Sequence, residues 1–133
     1  MRILHNEMKT IIIFSLFILL LLMGCKNEPQ YSRFENHNVP ACGIADPLNN
    51  LPWLKAYCSE HLNSSWVSIS IRKNSTSDVN YIVIENSNTI SVYSCEGERL
   101  MFHSSGSESS DGWMFFLGAN PLVAKIWEAK EIE

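Results

Sequence analysis

The pattern of hydrophobic and polar positions changes character along the chain. Residues 11–23 are apolar throughout except for Ser15. Much later, four segments alternate at a period of two. Val67, Ile69 and Ile71 alternate with Trp66, Ser68, Ser70 and Arg72, and Ile82 and Ile84 with Tyr81, Val83 and Glu85. Ile90 and Val92 follow against Thr89, Ser91 and Tyr93, then Leu100 and Phe102 against Arg99, Met101 and His103. Successive side chains of a strand point to opposite faces, so this alternation predicts an antiparallel sheet with one dry and one wetter face. Holding every aliphatic set on one face requires three-residue loops at 86–88 and 95–97, because a slip of one residue inverts a whole strand. Those loops pair Ile84 with Ile90, Tyr81 with Tyr93 and Val92 with Leu100. Asn88 and Gly97 then fill the third loop positions, which favour a left-handed backbone.

Ahead of the sheet, Leu51, Leu54, Cys58 and Leu62 recur at spacings of three and four, which predicts a helix over 51–62 stopped by Asn63-Ser64-Ser65. Asp46 before Pro47 and Asn50 before Pro52 read as N-caps followed by early prolines, the first opening a tight turn over 46–49. Trp53, Tyr57 and His61 make a second stripe that either flanks the core half-buried or forms a partner-binding edge. Beyond the sheet, residues 104–112 are serine-rich. Trp113-Met-Phe-Phe-Leu117 is too short for periodicity to decide between a buried strand and a helix capped by Ser110. Residues 124–128 look like a last strand, and the acidic end, 131–133, is expected to fray. The class predicted is α+β: one helix packed on a four- to five-stranded antiparallel meander sheet.

Lys9 followed by the apolar run has the layout of a secretory signal peptide, an h-region of about 7–15 apolar residues behind a positive charge. The run falls short of the roughly 20 apolar residues a membrane-spanning helix needs. It closes on Leu22-Met23-Gly24-Cys25, which resembles the lipobox of bacterial lipoproteins, and that resemblance implies cleavage after residue 24 and lipidation of Cys25. Several acyl chains on one cysteine anchor stably, each buried methylene adding about 0.8 kcal/mol. The organisation expected is a lipoprotein signal peptide over 1–24, a lipidated flexible tether over 25–40, and one small domain over 41–133. Pro29 and Pro40 punctuate a polar tether that reaches roughly 20 Å root-mean-square. Lys26-Asn27-Glu28 resembles the export signal of Bacteroidota surface lipoproteins, which leaves both the periplasmic and the surface face of the outer membrane open.

The string Asp46-Pro-Leu-Asn-Asn-Leu-Pro-Trp-Leu-Lys55 resembles the opening of a group of small uncharacterised Bacteroidota lipoproteins carrying an (N/D)PLxxLPWLK segment. The match covers ten residues. The strand pattern after it and the hairpin around Cys95 are similar as well. The resemblance implies a location in the cell envelope and a fold, and brings no activity with it.

Charge narrows the choice of partners. The 10 basic and 14 acidic residues lose Arg2, Lys9 and Glu7 with the leader, leaving 8 against 13 and a net charge of −5. Nucleic-acid binding rests on clustered Lys and Arg, and the longest basic cluster is Arg72-Lys73. No nucleic-acid partner is expected. The 109 residues from 25 to 133 suit one domain with one modest core.

Outside Cys25 the exported part holds Cys42, Cys58 and Cys95, an odd number for an oxidising compartment. A helix running antiparallel to the first strand brings its start beside the end of the third strand. Cys42 therefore neighbours Cys95, while Cys58 lies about 10 Å further along the helix at 1.5 Å per residue. The expected disulfide is Cys42–Cys95, with Cys58 a buried, inert thiol.

His37, His61 and His103 share no metal-ligand spacing, and no Gly-x-Ser-x-Gly elbow exists, so no metal, cofactor or catalytic residue is expected. The candidate binding face is the wetter side of the sheet, where Trp66, Tyr81, Tyr93 and Arg72 stand among serines. Such a mixture suits a protein or glycan partner, since aromatics bury area at little side-chain entropy cost. The function expected is that of a lipid-anchored envelope protein serving as a binding module. The alternatives are a small envelope hydrolase using His103 and a nearby carboxylate, and a structural accessory subunit of an outer-membrane complex.

Overall fold

The structure, a computed structural model, describes residues 2–22, 27–104 and 111–133. Gly24 and Cys25 lie outside these residues, and so does the lipidation site expected there. The N-terminal apolar run lies in helix α1 (Arg2–Leu22), along which the apolar side chains of residues 11–14 and 16–18 are exposed. Among the described residues no helix is long and apolar enough to cross a membrane.

The rest is α+β. Strands β1 (Gln30–Glu35), β2 (Trp66–Lys73), β3 (Asn80–Asn86), β4 (Thr89–Tyr93), β5 (Arg99–Ser104) and β6 (Leu122–Ile132) form one open antiparallel sheet in the order β1-β6-β2-β3-β4-β5. Three short helices accompany it: α2 (Pro47–Asn50), α3 (Pro52–Glu60) and α4 (Asp111–Ala119). The four alternating segments are the meander β2 to β5, as their pattern predicts. The sheet has six strands rather than four or five because the expected tether contains β1. Gln30 to Glu35 pairs residue for residue with Ile132 to Trp127 of β6. An edge strand needs only backbone hydrogen bonds, so β1 carries no apolar alternation. The same pairing orders Glu131 and Ile132, which were expected to fray. β6 also enters between β1 and β2 instead of extending the meander.

The first face of the sheet receives α2 and α3. Its core is Ile69 and Ile71 of β2, Ile82 and Ile84 of β3, Leu54 of α3, and Ile126 and Trp127 of β6. Two neighbours in β6 reach this core because a bulge lies between the pairs Ile69–Trp127 and Ser70–Lys125, leaving Ile126 without a strand partner. The helix over 51–62 is shorter than expected, starting at Pro52 with Leu51 at its cap. Asp46 precedes α2 as expected, but its side chain makes no cap hydrogen bond.

Cys42 and Cys95 are bonded, with Cα atoms 5.7 Å apart, as the antiparallel helix and strand require. Closing a loop of this length stabilises the fold by about 4 kcal/mol in the chain-entropy account. Beside the bridge, Gly97 has φ +87°, and a Cβ there would lie 2.8 Å from the Trp53 ring. The Trp53 indole N–H donates to the Cys95 carbonyl at 2.9 Å, so the β4–β5 turn, the disulfide and the start of α3 form one unit.

The β3–β4 hairpin departs from its expected register. Ile84 pairs with Ser91 and Val83 with Val92, one residue away from the predicted pairing. The Asn86 side-chain oxygen accepts from the Asn88 and Thr89 amides and the Thr89 hydroxyl, which closes a two-residue turn in place of three. Asn88 is consequently not left-handed. The slip moves Ile90 and Val92 to the second face, where Phe116 of α4 completes a separate apolar cluster with Val83 and Val92. Trp113-Met-Phe-Phe-Leu117 is therefore helical and covers that face. A second shift, between Val92 and Tyr93, keeps the expected Cys95-Glu96-Gly97 loop but sets Met101, not Leu100, opposite Val92. Leu100 and Phe102, expected in the core, are 48% and 55% exposed on the edge strand, beyond the cover of α3.

Candidate binding surface

The second face is divided. Over β3, β4 and β5 it lies under α4, with Phe116 edge-on to Tyr81 at 5.5 Å and the Trp113 ring parallel to His103 at 6.4 Å. The helix is tied down at its C-terminal end. Arg72 Nη1 donates to the Asn120 carbonyl at 2.9 Å, placing a cation at the negative end of the helix. Asn120, itself buried, donates through Nδ2 to the Phe116 carbonyl at 2.8 Å and accepts from Asn74 Nδ2 at 3.0 Å.

The four residues of the expected binding face therefore part company. Tyr81 and Arg72 are on the second face but serve to seat α4. Tyr93 is on the first face, its ring 5.4 Å from Trp53, because the register slip inverts β4. Trp66 alone stays on the uncovered part.

What surrounds Trp66 there comes from strands whose place in the sheet the sequence did not disclose. Ser68 lies between Glu85 of β3 and Glu128 of β6, and Ser70 between Val83 and Lys125. Phe34 of β1 pairs with Glu128 and is exposed. Lys125 Nζ donates to Glu128 Oε2 at 2.9 Å and stands 5.8 Å from the Phe34 ring centroid. That ammonium holds the Glu128 carboxyl below the usual glutamate range against the opposing effect of burial, and a hydrogen bond from Trp66 adds to the lowering. The result is a strip of two serines, two aromatics, the Lys125–Glu128 ion pair and the Glu85 carboxylate. Phe34, Lys125 and Glu128 were missed because Tyr31 and Phe34 are three residues apart, which carries no strand period, and because pairing with β6 is a long-range event.

A second polar cluster lies on the first face, at the end of β1. His37 Nδ1 is 2.9 Å from Asp46 Oδ1, and its Nε2 is 3.0 Å from Glu35 Oε2. Asn49 Nδ2 donates to the other Asp46 oxygen at 2.7 Å. Hydrogen bonds to Asp46 first, and then to Glu35, raise the His37 pKa above its ordinary 6.5, while the His37 contact lowers that of Asp46. With a carboxylate at each ring nitrogen, the protonated imidazole donates to both and acts as a clamp between β1 and α2. The adjoining cavity, about 170 Å³, is lined in part by Cys58 and Trp127. Burial pushes the Cys58 thiol up to about 12, so it is free but unreactive as a nucleophile. Among the described residues no group of three or more His, Cys, Asp or Glu is placed to hold a metal ion.

Compared with known proteins, the chain matches no family model, no curated protein and no solved structure, so its function has to be read from this geometry.

Proposed function

We propose that the protein is lipid-anchored through Cys25 in the bacterial cell envelope, on the outer membrane, and that it works by binding a protein or glycan partner on the strip around Trp66. The lipobox-like end of the leader supports the anchor, and a disulfide within the domain fits export to an oxidising compartment. The single observation that carries the binding role is the uncovered half of the second face. There Trp66, Ser68 and Ser70 of β2 and, across β6, Phe34 of β1 lie outside the cluster that α4 builds over the other half. Interface cores are enriched in aromatics, and this strip carries two, Trp66 and Phe34. A structural accessory role is the second reading, favoured by the position of β5 at the edge of the sheet and by its exposed Leu100 and Phe102, which suit a partner's sheet.

A photo-crosslinking residue placed at Ser70 of the full-length protein in intact cells tests the strip, with the same residue at Lys55, exposed on α3, as the comparison. Adducts from position 70 but not from 55 are expected. No adduct at 70, or equal adducts at both, would discard the strip. Metabolic acyl labelling of wild type and Cys25→Ser tests the anchor separately, label in the wild type alone being expected.

A further inference from the structure

At one end of the sheet, where α3 hands over to β2 and where β3 turns into β4, a groove of about 360 Å³ opens beside the strip. It lies at the lower end of the roughly 300–1,000 Å³ typical of small-molecule sites. His61, Ser64, Ser65, Trp66, Ser87 and Asn88 line it together with Val67 and Asn86, and there is no Lys, Arg, Asp or Glu among them. In a chain with 24 charged residues of 133, an uncharged concavity built of amides, hydroxyls, an imidazole and an indole selects a neutral, hydrogen-bonding ligand.

The walls are set in advance. The Ser65 carbonyl accepts from the Glu131 amide at 2.9 Å, and the Ser64 amide donates to the His61 carbonyl at 3.2 Å. Asn86 locks the turn that carries Ser87 and Asn88 with its three accepted hydrogen bonds. His61 stacks on Tyr57 with centroids 3.9 Å apart, and its Nδ1 lies 2.8 Å from the Tyr57 carbonyl. A carbonyl only accepts, so Nδ1 carries the proton of that hydrogen bond and Nε2 is the ring atom turned to the groove's chemistry. Among the described residues the side chains of Ser64, Ser65, Ser87 and Asn88 make no hydrogen bond within the chain, which leaves their donors and acceptors for a ligand.

We infer that this groove binds one or two rings of a neutral saccharide. Each sugar hydroxyl is both donor and acceptor, which hydroxyl and amide side chains match, and the C–H face of a pyranose packs on an indole such as Trp66. A peptide fits less well, because the groove is formed by two turns and presents no free strand edge. The inference rests on the proposed binding role and names the ligand class. It also places the source. Gln30 pairs with Ile132 at this same end of the sheet, and Trp66 pairs with Lys130 nearby. The five residues from Cys25 to Gln30 span at most about 18 Å, so an anchored domain holds the groove close to the membrane, within reach of a glycolipid head group.

Full-length protein in detergent, applied to an array of neutral and uronic-acid-containing oligosaccharides, tests this. Binding to neutral oligosaccharides is expected, weakened about tenfold by Asn88→Ala, whose exposed side chain has no structural partner, and also by Trp66→Ala. Ser59→Ala, away from the groove, should bind as wild type. No binding to any neutral oligosaccharide, preference for the acidic ones, or binding indifferent to Asn88→Ala would overturn the assignment. Vesicles with and without a neutral glycolipid then separate a membrane-bound from a free source. If position 70 still crosslinks to a protein while the array stays blank, the saccharide assignment fails and the binding role stands.

Discussion

The two faces of the sheet are built from the same alternating strands and are closed in opposite ways. The first face is sealed by α2 and α3: Cys42–Cys95 ties the segment before α2 to the β4–β5 turn, Trp53 of α3 packs on Gly97 of that turn, and the His37 clamp joins β1 to the start of α2. The second face receives α4 over three strands only, held by Phe116 in its cluster and by Arg72 and Asn74 at Asn120. The difference is one of anchorage rather than length, since α3 and α4 each run 9 residues. The first face carries the covalent tie and the larger apolar cluster, while part of the second face lies outside the cluster that α4 builds.

The largest effect that sharpens this contrast comes from the covalent tie. Replacing Cys42 and Cys95 together by alanine should cost about 4 kcal/mol in urea unfolding, a large share of the stability of a domain this size. A loss below about 1 kcal/mol would mean that packing alone seals the first face and that the two faces are held alike.

Next is the lid on the second face. Phe116→Ala should cost about 3 kcal/mol, since Phe116 is buried against Val83 and Val92 and its removal leaves a cavity. The strip beyond α4 is not part of that cluster, so crosslinking from position 70 should survive. Loss of the crosslink with the lid would show that the open and covered halves form one site.

The smallest effect is the clamp, read as pH dependence. His37 has a raised pKa, so its contribution is complete below its ordinary value of 6.5 and fades as pH rises through the raised value. Asp46 has a lowered pKa, so its contribution is complete above 3.8 and is lost as pH falls through the lowered value. Stability should thus be greatest between these limits. His37→Gln should flatten both shoulders in urea midpoints taken from about pH 3 to 9. An unchanged profile would remove the clamp from the features that set the first face apart.

Local pattern was enough for the existence and type of most elements: the four meander strands, the helix after Asp46, the Cys95-Glu96-Gly97 turn and, with the helix antiparallel to the first strand, the disulfide. These depend on alternation, on spacings of three and four, and on chain direction, all of which are carried by neighbouring residues. Of the four residues expected on one open face, only Trp66 lies on the part of the second face outside the α4 cluster. Its three companions were assigned on a register that kept all aliphatics together, which holds when a sheet has one dry face. Here α4 makes part of the second face dry as well, so that Val92 is buried there and Ile90 partly so.

By itself, then, the amino-acid sequence determined an α+β domain with a meander and a disulfide, because period, proline placement and cysteine order act over short distances. Tertiary structure alone decided three things: that a polar stretch without period becomes β1, that β6 enters between β1 and β2, and that the β3–β4 hairpin slips by one residue. Each depends on backbone pairing or on apolar cover supplied by residues tens of positions away. Hydrogen bonds of a sheet edge are indifferent to side-chain polarity, and the side of a strand that is buried is chosen by whatever packs against it.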